Sequence, residues 1–202
     1  MMTGYFERAG GPDGGAAVAL DEIEISILRS LAVQLVELIG PGGRAESVGD
    51  ELDALFSEGP SEAPTDPALA RLFPDAYHGP DDGDQDERSR EHSAEFRRFT
   101  EDDLRAGKRE NLLTVIRALD GLSGQENGPG GAVLTLTPEE SQAWLRALND
   151  LRLAIGVRLD ISKDDDSDRL FHLPDEDPDK PLVMAYLWLG GLQESLIATL
   201  LP

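Results

Sequence analysis

The clearest pattern of apolar and polar positions lies over residues 132–161, AVLTLTPEESQAWLRALNDLRLAIGVRLDI. Residues 133–136 read as a short strand. A helix start follows with three cues: Thr137 as N-cap, Pro138 at the first helical position and Glu140 at the third. Behind it Trp144, Leu148, Leu151, Ile155 and Leu159 form one apolar seam over about six turns. Leu153 and Val157 fall off that seam, on the face that should be polar. This predicts a helix buried on more than one side, in the middle of a bundle or at an interface.

A weaker copy of the same unit stands near the N-terminus. VALDEIEISILRSL and LTLTPEESQAWLRAL both give strand, cap and helix, and Leu28-Arg29-Ser30-Leu31 matches Leu145-Arg146-Ala147-Leu148. A shared strand-helix grammar explains this without duplication. The two strands are expected in one small antiparallel sheet. Residues 5–8 and 16–20 are the N-terminal strands, joined as a hairpin by Gly-Gly-Pro-Asp-Gly-Gly. Asp21 with Glu24 reads as a capping box, followed by a seam of Leu28, Leu31, Leu35 and Leu38 that stops near Gly40-Pro41. The Ile23 to Ile27 alternation carries the strand period, but the longer seam decides for helix.

Residues 40–66 are rich in Gly, Pro, Ser and Glu, with a short helix expected at 48–56. Asp66-Pro67 opens another at 68–73, closed by Pro74. A long helical region spans 87–122; Thr100 with Asp103 resembles a capping box inside it and predicts a kink or a new helix there. Residues 125–131 form a loop. Two acidic loops, about 75–87 and 162–180, read as mobile. The last segment, 181–201, is nearly all apolar.

Length and charge refine this picture. With 202 residues, the chain is long enough for a single domain with its own core, read here as 1–202. There is no cysteine, so no disulfide, thiolate nucleophile or thiol switch. Forty acids against 18 bases give a formal charge of −22, and only Lys108, Lys163 and Lys180 are lysines. Such a surface disfavours direct binding to nucleic acid and favours basic partners. The composition fits a reducing cytoplasm. The N-terminus shows no signal-peptide pattern. The 181–201 segment has the length of a membrane span, but Glu194, Gly190-Gly191 and the acidic flank at 175–179 argue against one. A central core helix, apolar all round, is the expectation.

Candidate chemistry is sparse. Asp164, Asp166 and Asp168, and likewise Asp82, Asp84 and Asp86, share the alternate spacing of an EF-hand loop, but both tracts lack its Gly and its closing Glu. They read as solvated acidic loops. His78, His92 and His172 share no metal-ligand spacing. Glu139 and Glu140 belong to a helix first turn, where acids favour the dipole. No nucleophile motif, phosphate loop or Rossmann glycine set occurs. An enzyme is not expected, and neither a metal nor a cofactor is implied.

Two sets remain as candidate interaction residues. Arg97, Arg98, Arg105, Lys108 and Arg109 form a basic cluster, read either as a docking patch or as internal partners of Glu101, Asp102, Asp103, Glu110 and the acidic loops; the second reading is favoured. Arg146, Asn149, Asp150 and Arg152 form a polar set within the seam helix, with Arg146 and Asp150 spaced to pair. A packing network is the favoured reading of that set, and a pocket the alternative.

LTPEESQAWLRALNDLRLAIGVRLDI, DPALARLFPDAY, EFRRFTEDDLRAGKRENLLTVIRAL and the closing LVMAYLWLGGLQESLIATLLP together resemble the actinobacterial AosR-like family, formerly described only as a domain of unknown function. The resemblance covers nearly the whole chain. It rests on helix and loop segments, not on a catalytic motif. It implies a cytoplasmic regulator of the oxidative-stress response that acts through a sigma factor. Genes of the family neighbour a Clp adaptor, a JAMM-type metallopeptidase, a sulfur carrier and a cysteine synthase, so an accessory role in cysteine biosynthesis or Clp proteolysis is the alternative. Redox sensing in the regulator reading relies on cysteines, which this chain lacks.

The expectation is therefore a mainly helical α+β fold: a bundle around a nearly all-apolar C-terminal helix, with a small antiparallel sheet from the N-terminal hairpin and a strand near 133–136. The expected function is a non-enzymatic acidic interaction protein binding a protein partner, with no direct nucleic-acid or membrane contact. A homodimer through the Trp144 or Trp188 helix and a monomer with both helices in its core are both compatible with the sequence.

Overall fold

A computed structural model describes residues 4–10, 15–41, 59–77, 87–122, 131–161 and 173–201. Their elements run β1 (Glu7–Arg8), β2 (Ala16–Leu20), α1 (Glu22–Ile39), α2 (Pro67–Leu72), α3 (Glu87–Leu122), β3 (Ala132–Leu136), α4 (Pro138–Arg158) and α5 (Lys180–Leu200). The fold is the expected one, mainly helical with a three-stranded antiparallel sheet in the order β1-β2-β3. The expected helix at 48–56, both alternating Asp tracts, His78 and His172 lie outside the described residues.

The sheet explains the likeness of the two strand-helix units. β2 and β3 pair along their length, from Ala16 opposite Leu136 to Leu20 opposite Ala132. On β3, Ala132, Leu134 and Leu136 point inward while Val133 and Thr135 face out, the period of a half-buried strand. Gly15 and Gly131 bracket the ladder at positive φ, 109° and 78°. A Cβ at Gly15 would lie 2.1 Å from the Leu136 carbonyl oxygen, and one at Gly131 2.6 Å from that of Leu20. Both corners therefore require glycine. β1 is shorter than the expected 5–8.

Each strand feeds a capped helix. The Asp21 carboxylate accepts from the Glu24 amide at 2.8 Å while Glu24 accepts from the Asp21 amide at 2.8 Å. Thr137 and Glu140 repeat that box at the start of α4. In α1 the buried stripe is Ile25, Leu28, Ala32, Leu35 and Ile39; Leu31 and Leu38 flank it, half-buried. Ile23 and Ile27, which carried the strand-like alternation, are exposed at 69% and 42%. Asp66 caps α2 with its carboxylate on the Ala68 and Leu69 amides, at 2.8 and 3.0 Å.

Two expectations are corrected. No new helix starts at Thr100: α3 runs unbroken, and the Thr100 hydroxyl donates to the Phe96 carbonyl at 2.8 Å instead of capping. The centre of the bundle is α4, buried on more than one side as expected and packed against α1, α2, α3, α5 and β3, and not the C-terminal helix. Its seam residues Trp144, Leu148, Leu151, Ile155 and Leu159 are all buried, and Leu153 and Val157 are half-buried. Trp144 meets the edge of Phe6 at 5.9 Å between centroids. α5 is apolar as expected but lies along the outside of α4 and buries only Val183, Leu189, Leu192 and Leu196. Among the described residues it is the one helix long and apolar enough to cross a membrane. It is tied to the start of β1 by the Phe6 amide, which donates to Ser195 Oγ at 3.0 Å, and by the packing of Tyr5 against Gly191.

Candidate functional site

The basic cluster on α3 is turned inward and holds the bundle together. Arg97 is 4% exposed. Its guanidinium donates to Glu101, to the Phe73 carbonyl at 3.0 Å and to Asp75 at 2.8 Å. Burial alone would make Arg97 easier to deprotonate; the hydrogen bonds and charges of Asp75 and Glu101 outweigh that and raise its pKa above the ordinary arginine value. Arg105 also binds Glu101, at 2.6 and 2.8 Å, and lies over the Phe73 ring at 4.5 Å.

Arg105 and Arg109 then reach α1, donating to the Ile39 and Val36 carbonyls. The last turn of α1 has no base of its own, so α3 supplies the positive charge that its carbonyl end favours. Arg98 is half-buried, with its guanidinium 5.8 Å from the Phe99 ring centroid. His92 is exposed and stacks edge-on to Tyr77 at 5.7 Å.

Lys108 leads from this cluster to the polar set on α4. Its ammonium donates to Asp150 Oδ1 at 2.7 Å, across 42 positions of chain. Asp150 is 3% exposed. Burial raises its pKa above the ordinary aspartate value, and Lys108 partly offsets the shift through hydrogen bond and charge. The expected pairing of Arg146 with Asp150 is not made, because Lys108 takes the carboxylate from the buried side while Arg146 points to solvent. Arg146 has no hydrogen-bond or ion-pair partner among the described residues.

Asn149 and Arg152 face α5. Arg152 donates to Gln193 Oε1 at 2.6 Å, contacts the Tyr186 hydroxyl at 3.4 Å and lies 5.0 Å from the Tyr186 ring centroid. Gln193 in turn donates to Asn149 Oδ1 at 3.4 Å. The polar set is thus divided: Asp150 ties α4 to α3, Asn149 and Arg152 tie it to α5, and Arg146 is left open.

Between these three helices lies a cleft of about 500 Å³, with Lys108, Asn111, Arg146, Asn149, Asp150 and Gln193 among its lining. Chemically it offers the Lys108-paired carboxylate of Asp150, the carboxylate of Asp103, the guanidinium of Arg146 and three carboxamides, beside the apolar Leu104, Leu145 and Ile197. These groups orient a polar ligand and supply no activated nucleophile. Among the described residues no three His, Asp or Glu side chains converge as metal ligands.

A second concavity escaped the sequence reading. It runs between α1 and α5 and is lined mainly by Ile27, Leu31, Leu182, Met184, Ala185 and Trp188. The signal was present: Ile23 and Ile27 are surplus to the buried stripe of α1, and α5 has more apolar residues than one packed face can bury.

The family model described as a domain of unknown function, DUF2017, matches residues 2–200. Oxidative stress regulator AosR of Mycobacterium tuberculosis is 32% identical over 185 residues, covering 88% of this chain and 78% of that protein. Its counterpart of the same name in Mycobacterium bovis shows the same identity and coverage. A Mycobacterium leprae relative is 31% identical over 202 residues, covering 96% of this chain and 86% of its own. No solved structure gives a significant match. On this evidence the chain belongs to the DUF2017 family, together with the mycobacterial oxidative stress regulators named AosR.

Proposed function

We propose that this protein is a non-enzymatic regulator of the oxidative-stress response that acts in the cytoplasm by binding a protein partner, a sigma factor. The observation that carries the regulatory reading is the similarity, over most of both chains, to proteins named oxidative stress regulator. The disposition of charge supports the mode of action. Arg97, Arg105, Lys108 and Arg109 are spent on internal contacts, so a chain of charge −22 presents an acidic exterior. An acidic domain is steered toward basic surfaces such as the DNA-binding faces of sigma factors, and away from the nucleic acid itself. With no cysteine in the chain, oxidant is sensed by a group other than a thiol of this chain, for which the partner is the natural location.

The test is a tagged pull-down from host lysate at low and moderate salt, with and without peroxide. Recovery of a sigma factor at low salt, lost as salt rises, is the expected result. Recovery of cysteine-biosynthesis or Clp components in its place would overturn the transcriptional reading and favour an accessory role.

A further inference from the structure

The groove between α1 and α5 has a volume of about 770 Å³. One wall is Ile27 and Leu31, a helical turn apart on α1; the other is Leu182, Ala185 and Trp188, successive turns of α5, with Met184 at the rim. Ile27 is 42% exposed and Met184 55%. Single exposed apolar side chains are ordinary. A continuous apolar trough between two helices, rimmed by charge, marks a place where another surface is meant to sit.

Among the described residues the charge around it is mainly negative. Glu24 lines the groove, and Asp21 and Glu22 stand exposed at the same end of α1. At the start of α5, Asp177 and Asp179 flank the lining residue Pro178. Among the described residues the base there is Lys180, which is occupied, donating to the Leu173 carbonyl at 2.6 Å with Asp175 at 3.7 Å. The Glu24 carboxylate accepts from the Asp21 amide.

We propose that this groove docks an amphipathic helix of a partner protein, seated by an apolar stripe and flanked by Lys or Arg side chains that meet the acidic rim. Two parallel rows of side chains one turn apart are the counterpart of a helix presenting anchors at i, i+3, i+4 and i+7. A second copy of this chain would bring the same acids against each other on a molecule already at −22. An anionic bilayer would meet the same repulsion. The proposal rests on the reading of the protein as a partner-binding regulator, and adds where the partner sits and what chemistry it carries.

The probe is a peptide of about 18 residues built from Leu at helical spacing and Lys elsewhere, long enough to form a helix on binding. Its counterpart has Glu in place of Lys. Binding to the full chain is read by anisotropy of labelled peptide and by emission of Trp188; the other tryptophan, Trp144, is fully buried. The Leu/Lys peptide should bind and shift the Trp188 emission to the blue, and the Leu/Glu peptide should not. I27Q/M184Q removes the apolar seat at unchanged charge and should weaken binding by about tenfold or more. E22Q/D179N should flatten the salt dependence. Circular dichroism checks that both variants fold.

Equal binding by I27Q/M184Q would overturn the proposal, since the peptide would then sit on the general acidic exterior. So would a concentration-dependent dimer, or uptake onto phosphatidylcholine vesicles, that this variant abolishes, because the groove would then serve a second copy or a bilayer. The regulator reading fails separately. A sigma factor recovered equally by wild type and I27Q/M184Q sinks the groove alone. Peptide docking with no sigma factor recovered keeps the groove and sinks the regulator.

Discussion

α4 and α5 are both 21 residues long and lie side by side, yet the more polar of the two is the more buried. α4 carries Glu139, Glu140, Arg146, Asp150, Arg152 and Arg158 and buries nine residues; α5 carries only Lys180 and Glu194 as charges and buries four. The difference follows from what surrounds them. α4 meets four helices and β3, and two of its buried polar side chains are answered: Asp150 by Lys108, and Ser141 by the Thr137 carbonyl at 2.7 Å, while the buried Trp144 Nε1 has no hydrogen-bond partner among the described residues. α5 packs mainly on α4, with β1 across it, so part of its apolar surface faces the groove and the solvent. Apolar content does not by itself find the centre of a small bundle. The surplus over what a helix buries is what lines the groove.

The comparison breaks most readily at the two tryptophans. Trp144 is fully buried against Phe6, so Trp144→Ala should destabilise the fold by about 3–5 kcal/mol in urea unfolding. Trp188→Ala, on the half-buried wall of the groove, should cost no more than about half of that. Equal losses would place both helices in one core and remove the contrast.

The polar heart of α4 gives the next largest effect. Lys108→Met leaves Asp150 buried without its cation and should cost about 2–4 kcal/mol; adding Asp150→Leu should recover most of that. The pH dependence has a definite sign. Burial raises the Asp150 pKa in the folded state, so between its ordinary value of 3.8 and the raised one the folded chain holds more protons than the unfolded chain. Stability contributed by this site therefore falls as pH rises through that window. Relative to Asp150→Asn, wild type should be less stable at about pH 7 than at about pH 4. Lys108→Met removes the group that lowers the pKa, so its window extends further upward. A wild-type curve parallel to that of Asp150→Asn would remove this account.

Much of this architecture was legible in the residues, because local rules wrote it. Both capping boxes, the Trp144 seam and the pairing of the two similar strands follow from spacing and helix-end chemistry, which act within a few residues. What escaped was set by tertiary geometry. Lys108 and Asp150 are 42 positions apart, and no local rule prefers that partner over Arg146, which sits at the favoured four-residue spacing. Thr100 carried a capping signal that the helix overrode, since continuous packing from Ser93 through Leu122 outweighs one local alternative. The basic cluster was expected to pair internally, with a docking patch as the alternative, but the partners were not legible: that Arg97, Arg105 and Arg109 turn toward Phe73, Asp75 and the end of α1 depends on elements far along the chain.

A smaller effect is expected where the two helices are tied. Arg152→Ala removes the bond to Gln193 and the stacking on Tyr186, and leaves both partly exposed, so the loss should be about 1 kcal/mol. A much larger value would mean that α5 depends on polar ties to α4 more than on Leu189, Leu192 and Leu196.

The smallest expected effect is the most telling. Met184 is 55% exposed at the rim of the groove. Met184→Gln removes an apolar side chain from the most apolar helix of the molecule, and hydrophobicity alone would assign it a cost like that of a core residue. Its position instead predicts a change within about 0.5 kcal/mol, because the side chain is already largely in water and the helix keeps a good helix former. Thermal and urea unfolding of the purified variant decide the point. A loss near that of a buried methionine, about 2–5 kcal/mol for truncation, would mean that the groove is closed in solution and that α5 is an interior helix after all. An unchanged midpoint separates the two halves of α5: Leu189, Leu192 and Leu196 hold the fold, while Met184 on the groove adds little to it and leaves that face open to the docking proposed above.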